Sequence, residues 1–296
     1  MRVLILGGAG MLGHKLWQIS ADKFDSFVTL RDEFASVARY GIFDQARTLT
    51  GVRADDFESV QRALSTVRPD VVVNCIGIVK QDAAAKDPIV GITVNSLFPH
   101  RLAQSCRDLN ARLIHLSTDC VFSGSKGNYS ESDLADPPDL YGRTKLLGEV
   151  TAEHCLTIRT SMIGRELRGS HGLLEWFLAQ QGNQVRGFKR AIFSGFTTGA
   201  LARMIVDIIA GQRELHGVWH VAAQAISKFD LLTLIKQTYG LDVEIEADEN
   251  FRCDRSLDGR RFVEATGFQA PDWPEMIAEM HADPTPYNSF RRSNLA

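Results

Sequence analysis

A chain of 296 residues, 44% hydrophobic and 23% charged, has the composition of a soluble globular protein with enough apolar material for a full core. A formal net charge of -3 leaves no basic footprint for nucleic acid, and no apolar run approaches a membrane span. Five scattered cysteines without a Cys-x-x-Cys pair exclude a disulfide framework and a zinc site; with no export signal ahead of the first apolar run, they predict a cytoplasmic protein.

Arg2 to Leu6 predicts a buried strand that runs directly into Gly7-Gly8-Ala9-Gly10-Met11-Leu12-Gly13 and then a helix. Gly8, Gly10 and Gly13 satisfy G-x-G-x-x-G with a strand before and a helix after. Glycines there let the backbone turn tightly against a pyrophosphate, whose charge the helix N-terminus stabilises. Ser26 to Leu30 reads as the second strand, and Arg31 follows it. An Arg at this point suits a ribose 2′-phosphate, whereas a one-residue shift to Asp32 suits a free 2′-hydroxyl. NADP is therefore the expected cofactor, with NAD tolerated. Gly51 to Ala54 is expected as a third strand, with Asp55 or Asp56 capping a helix through Phe57, Val60 and Leu64.

Val71 to Gly77 is a continuous apolar run, as a parallel sheet covered on both faces requires. Cys75 and Gly77 at its far end are expected to lie against the cofactor, the glycine because it permits close approach. Pro88 to Leu109 predicts one long helix containing Asn95, and Arg112 to Leu116 a fifth strand. Thr157 to Thr160 reads as a sixth strand and Leu173 to Gln180 as an apolar helix. From Gly182 to Phe196 no regular period emerges; Thr197-Thr198 then starts a helix through Leu201, Ile205 and Ile208. Gly217 to Val221 is a further strand, Ser227 caps a helix to Tyr239, and residues 241 to 280 form a small α/β region. The last fifteen or so residues, polar and with two prolines, are expected to fray. Strand-helix alternation of this kind predicts a doubly wound parallel sheet.

Chemistry concentrates after the fifth strand. Ser117-Thr118-Asp119 stands where open α/β sheets bind ligands, at the carboxyl edge. Tyr141 and Lys145, four residues apart, share one face of a helix start. The ammonium is expected to draw the phenol pKa down toward working pH. A phenol so placed gives a proton to a carbonyl oxygen while hydride arrives at the carbon, and Thr118 hydrogen-bonds the same oxygen.

These motifs together resemble an extended short-chain dehydrogenase/reductase. The run Ser117 to Gly124 (STDCVFSG), Tyr129-Ser130-Glu131, Pro138 to Glu149 (PDLYGRTKLLGE), Arg159-Thr160-Ser161 and Gly217 to Val221 is similar to the dTDP-4-dehydrorhamnose reductase family. The resemblance implies an α/β fold, a Rossmann doubly wound parallel sheet with a smaller C-terminal α/β substrate lobe. The cofactor domain would take residues 1–165 plus about 190–222, and the substrate-binding lobe 166–189 and 223–296. It implies NADPH-dependent reduction of the 4-keto group of a nucleotide-activated 6-deoxyhexose, with a nucleotide sugar as ligand and room for a homodimer. Thr118, Tyr141 and Lys145 take the catalytic positions. Gly7, Gly10, Met11, Leu12, Gly13, Arg31, Cys75, Gly77, Tyr141 and Lys145 fall on the cofactor. Asp119, in a positioning role, Val121 and Arg252 fall on the substrate, with Arg186, Arg190 and Arg255 as other candidate cations.

Four departures qualify the resemblance. Cys120 stands where many members carry an aromatic, and Gln81 to Ala85 keeps the Asp but loses the Glu of a sugar-facing segment. A UDP-linked N-acetylated sugar is the alternative substrate that this allows. Arg53 occupies the place of an adenine-contacting Asp. The first helix begins His14-Lys15 in place of a metal-bridging Glu, so no metal is expected, and His14 is read as a solvent residue. A third alternative is a non-catalytic NADP-binding regulatory subunit, like the β subunit of methionine adenosyltransferase.

Overall fold

The computed structural model describes residues 1–80 and 86–288. The first half runs β1 (Arg2–Leu6), α1 (Met11–Ser20), β2 (Asp25–Thr29), α2 (Ala35–Ala38), β3 (Thr48–Leu49), α3 (Phe57–Val67), β4 (Val71–Asn74), α4 (Pro88–Gly91), α5 (Phe98–Asp108), β5 (Arg112–Leu116), α6 (Leu140–Leu147) and β6 (Cys155–Arg159). The second runs β7 (Met162–Ile163), α7 (Leu173–Leu178), β8 (Gln184–Phe193), β9 (Phe196–Thr197), α8 (Thr198–Gly211), β10 (Gly217–His220), β11 (Ile226–Ser227), α9 (Lys228–Tyr239), β12 (Glu244–Asp254), α10 (Arg260–Thr266) and α11 (Trp273–His281).

Seven strands form one parallel sheet in the order β10-β6-β5-β4-β1-β2-β3. The order reverses between β1 and β4, and ligands bind such sheets at that switch point, outside the strand ends. Burial explains the continuous apolar strands. Val3 and Ile5 join a cluster with Leu16, Trp17, Ile205 and Ile209 under α1 and α8, while Leu4 and Leu6 join Val60, Leu64, Phe98 and Leu102 under α3 and α5. The first cluster continues through Phe262 and Trp273, so one core supports both the sheet and the C-terminal elements. A second sheet runs in the order β11-β8-β12. Its central strand β8 runs through residue 190, the expected lobe boundary. Among the described residues no helix is long and apolar enough to cross a membrane.

Four details differ from the sequence reading. The third strand is Thr48–Leu49, not 51–54, because Gly51 turns through the left-handed region at φ 69° and breaks the extended run. The expected helix 88–109 is interrupted by a π-helical stretch, Ile92–Leu97. Pro99 has no N–H to return to Asn95, and Phe98 N–H reaches back to Thr93 O instead. Residues 184–193, which showed no period, are a ten-residue strand paired on both sides.

The fourth correction joins His14 to the C-terminal segment. His14 is fully buried, its Nδ1 2.8 Å from Gly10 O and its Nε2 2.8 Å from the Tyr287 hydroxyl. Burial lowers its pKa to about 4, so the ring is neutral. The partner, Tyr287, is itself buried, and Asp283 pairs with Lys15 at 2.5 Å. Residues 282–288 are thus docked on α1, since an aromatic anchor outweighs the polar sequence around it.

Candidate active site

The glycine loop is shaped by contacts that a side chain would destroy. Gly7 has φ 82°; a Cβ on Gly8 would lie 2.1 Å from Val28, and one on Gly13 2.2 Å from Gly7 O. Gly7 N–H donates to Thr29 Oγ at 3.2 Å and Gly8 N–H to Thr29 O at 2.8 Å, which presses the loop onto the end of β2. Gly10 is exposed at the start of α1, with no side-chain cap and no acid in the first turn. The amides of Met11 and Leu12 are left for an anion, as a pyrophosphate requires. Cys75 lies under Gly7, and burial pushes its thiol up to about 12.

At the outer end of this groove Arg31 is exposed, beside an Asp32–Arg168 ion pair of 2.6 Å. Arg53 is paired in bidentate fashion with Asp55, at 3.1 and 2.7 Å, and is engaged locally.

Thr118, Tyr141 and Lys145 converge at the carboxyl end of β5. Thr118 caps the turn Asp119–Val121, its Oγ accepting Cys120 N–H at 3.1 Å and lying 3.2 Å from Asp119 Oδ1. Helix α6 brings Tyr141 toward Thr118, whose hydroxyl opposes the upward shift of the phenol pKa. Gly142 makes this approach possible, because a Cβ there would sit 2.3 Å from Cys120 O. Asp139 caps α6 through Gly142 N–H at 2.8 Å and pairs with Lys80 at 2.7 Å.

Lys145 is buried, donates to Leu116 O at 2.7 Å and lies about 4.0 Å from where a Cβ on Gly77 would stand. Gly77 therefore leaves the ammonium reachable from the cofactor groove. Burial lowers the Lys145 pKa to about 8. Tyr141 departs from expectation: burial pushes its phenol above the ordinary value. Lys145 points at the Leu116 carbonyl, and the charges of Cys120, Asp119 and Asp139 add to the upward shift. A phenol held protonated at neutral pH is ready to act as an acid.

The frame behind these groups was not read from the sequence. Glu149 binds Arg159 at 2.8 and 2.7 Å and accepts Ser117 O–H at 2.6 Å, all close to the end of β5. Arg159 Nη1 lies 3.2 Å from His220 Nε2. Gly148 clears the Asn95 carbonyl, which a Cβ would approach to 1.9 Å. Asn95 in turn holds Ile78 through its N–H at 2.9 Å and its O at 3.1 Å. The Gly-Glu and Arg-Thr-Ser motifs are thus one buried brace.

On the substrate side two expected residues are displaced. Val121 is fully buried with Phe122, Tyr129 and Leu257, so it backs the wall without facing the cleft. Arg252 is exposed on β12, just past a register break, and pairs in register with Arg190. Arg255 packs on the turn after β5, with Nε 2.9 Å from Phe122 O and Nη1 3.7 Å from Cys120 Sγ. Asp119 is buried beside Arg255 and Lys228, and the Lys228 ammonium sits 3.9 Å over the Phe193 ring. Lys228, at the first turn of α9, was missed because a Lys after a helix cap carries no chemical signature of its own. Gln81 to Ala85 lies outside the described residues.

A glycine loop after the first strand and a Thr–Tyr–Lys set after the fifth define an NAD(P)-dependent oxidoreductase of the extended short-chain dehydrogenase/reductase class. The model of the family described as RmlD substrate binding domain matches residues 1–285, and the chain belongs to that family. The Bacillus subtilis spore coat polysaccharide biosynthesis protein SpsK is 26% identical over 94% of this chain and 96% of its own length. The dTDP-4-dehydrorhamnose reductase of Mycolicibacterium smegmatis is 28% identical over 82% and 71%. A crystal structure of a hypothetical dTDP-4-dehydrorhamnose reductase from Sulfolobus tokodaii superimposes with a TM-score of 0.77 at 26% identity, covering 92% of this chain and 98% of that one. In fold alone, the Bacillus anthracis dTDP-4-dehydrorhamnose reductase in complex with NADP also matches, with a TM-score of 0.75 at 20% identity over 95% and 98%.

Proposed function

We propose that this chain reduces the 4-keto group of a nucleotide-activated 6-deoxyhexose with NADPH, taking dTDP-4-dehydrorhamnose to dTDP-L-rhamnose or a close analogue. The observation that carries the reading is a buried Lys145, bonded to Leu116 O at the carboxyl end of β5 next to Thr118, beside a glycine loop whose spaces no side chain fits. The residues present fit a dinucleotide: the α1 amides suit its pyrophosphate, Arg31 a 2′-phosphate, and Lys145 below Gly77 a ribose hydroxyl. When bound, NADPH supplies the hydride. Tyr141 then gives its proton to the carbonyl oxygen, and Thr118 hydrogen-bonds the same oxygen as charge develops. Arg255, beside Cys120 and Asp119, is the cation we assign to the substrate side in place of Arg252.

Cys120 favours one variant of this reading. Its thiol is held against Arg255, and with the altered sugar-facing segment this departure from the family pattern keeps a UDP-linked N-acetylated sugar as the second substrate reading. The scaffold alternative is disfavoured because all three catalytic positions are filled. We infer a cytoplasmic enzyme whose ligand is a nucleotide sugar; a homodimer is checked by light scattering. Turnover of 4-keto-6-deoxy sugars linked to dTDP and to UDP, followed by loss of NADPH absorbance, tests the reading. No oxidation with any of them, despite tight NADPH binding, would reject both enzyme readings.

A further inference from the structure

The loop between β7 and α7, residues 164–172, is anchored at both ends to the edge of the sheet that carries the glycine loop. Leu167 is buried in a cluster with Leu30, Val37 and Tyr40, and Ala9 of the glycine loop packs against the same cluster. The Tyr40 hydroxyl donates to Leu167 O. Further along, Glu166 accepts the N–H groups of His171 and Gly172, and a Cβ on Gly172 would lie 2.9 Å from the end of the Met11 side chain. Between these anchors Arg168 Nη1 donates to Asp32 Oδ2 at 2.6 Å, across 136 residues of sequence.

The place of Asp32 gives that contact a consequence. Just past the end of this strand, a carboxylate accepts the adenosine ribose 2′-hydroxyl and selects NAD, whereas an Arg accommodates a 2′-phosphate. This chain carries both in succession, Arg31 and Asp32, after β2. An uncompensated Asp32 would repel a 2′-phosphate. The Arg168 guanidinium takes one oxygen of that carboxylate and offsets its charge. Other cations nearby are committed elsewhere. Arg53 is bidentate on Asp55, and Arg39 donates to the Tyr40 hydroxyl at 3.2 Å and lies 5.1 Å over its ring. Arg168 and Asp32 are 35% and 53% exposed, so their pair contributes little to folding stability. What it changes is the charge presented to a ligand.

We propose that Arg168 is a cofactor-specificity residue. By pairing with Asp32 it turns an edge that would hold a ribose 2′-hydroxyl into one that takes a 2′-phosphate, so the preference for NADPH is set by Arg31 together with a loop from the second half of the chain. The proposal rests on the reading that a dinucleotide binds along the glycine loop, and it adds to that reading a determinant that lies far from the loop in sequence.

The test is calorimetric titration of the full chain with NADPH and NADH, and with adenosine 2′,5′-bisphosphate and adenosine 5′-monophosphate, for wild type, Arg168→Ala and Arg168→Ala/Asp32→Asn, with thermal unfolding of each. The wild type should bind NADPH more tightly than NADH. Arg168→Ala should weaken NADPH and the bisphosphate on the order of tenfold at low salt, while NADH and the monophosphate change by less than about threefold. Its melting temperature should stay where it is. Adding Asp32→Asn should recover most of the lost NADPH affinity, because the repelling carboxylate is then gone. A wild type that prefers NADH, an unchanged preference in Arg168→Ala, equal weakening of both cofactors, or no recovery in the double variant each overturns the proposal. A wild type that binds neither dinucleotide would instead overturn the underlying cofactor reading.

Discussion

The Glu149–Arg159 brace gives the most quantitative prediction. Both side chains are under a tenth exposed, at 7% and 8%, and are joined by two hydrogen bonds of 2.8 and 2.7 Å. Glu149→Gln keeps the shape but leaves the Arg159 charge uncompensated and sets an amide donor against its guanidinium. Breaking one side of a buried pair costs about 3–5 kcal/mol. In a chain of this length that is a Tm lower by roughly 6–10 °C. The same change removes the negative charge that holds the Lys145 pKa up, so that pKa should fall below about 8. Urea unfolding of Glu149→Gln, Arg159→Met and the double variant measures the coupling. The double variant should recover much of either single loss, because no buried charge is then left alone. Single losses below about 1 kcal/mol, or losses that simply add, would refute the brace as a buried, coupled unit.

Three further outcomes follow from particular contacts. Gly142→Ala puts a Cβ 2.3 Å from Cys120 O and 2.7 Å from Pro137, so it should cost about 1–3 kcal/mol and abolish most turnover by moving Tyr141, as thermal unfolding and NADPH oxidation will report. His14, held neutral with a pKa of about 4, takes up a proton in the unfolded chain first; stability should be lost as pH falls from 6.5 through 4, by about 3 kcal/mol. In His14→Gln that part of the pH dependence should vanish in denaturant titrations at stepped pH. Arg31→Ala should weaken NADPH binding about 10–100-fold, measured by calorimetry, and leave NADH nearly unchanged.

What could be read from the residues was what depends on local pattern. Val71 to Asn74 announces a doubly covered strand, and the glycine spacing of residues 8–13 announces its ligand, because both signals lie within one short segment. The Tyr141–Lys145 face is visible for the same reason. Contacts made across long separations left no such trace. Arg255 meets the turn after β5 only because the chain just past β12 packs on Phe122 and Cys120. Arg255 drew no preference over Arg252 in the sequence, because its contacts with Phe122 O and Cys120 Sγ span more than 130 residues. His14 was misjudged because its partner, Tyr287, lies at the far end of the chain. The direction of the Tyr141 shift was also beyond a spacing argument, since burial sets it and the Lys145 ammonium turns to a backbone carbonyl.

The central claim is that Tyr141 is the acid of a 4-keto reduction. Its most direct test is NADPH oxidation with dTDP-4-dehydrorhamnose by wild type and Tyr141→Phe, with NADPH binding measured on both. The account predicts turnover by the wild type and a loss of on the order of 100-fold or more in Tyr141→Phe, with NADPH still bound. Wild-type rates in Tyr141→Phe would contradict it.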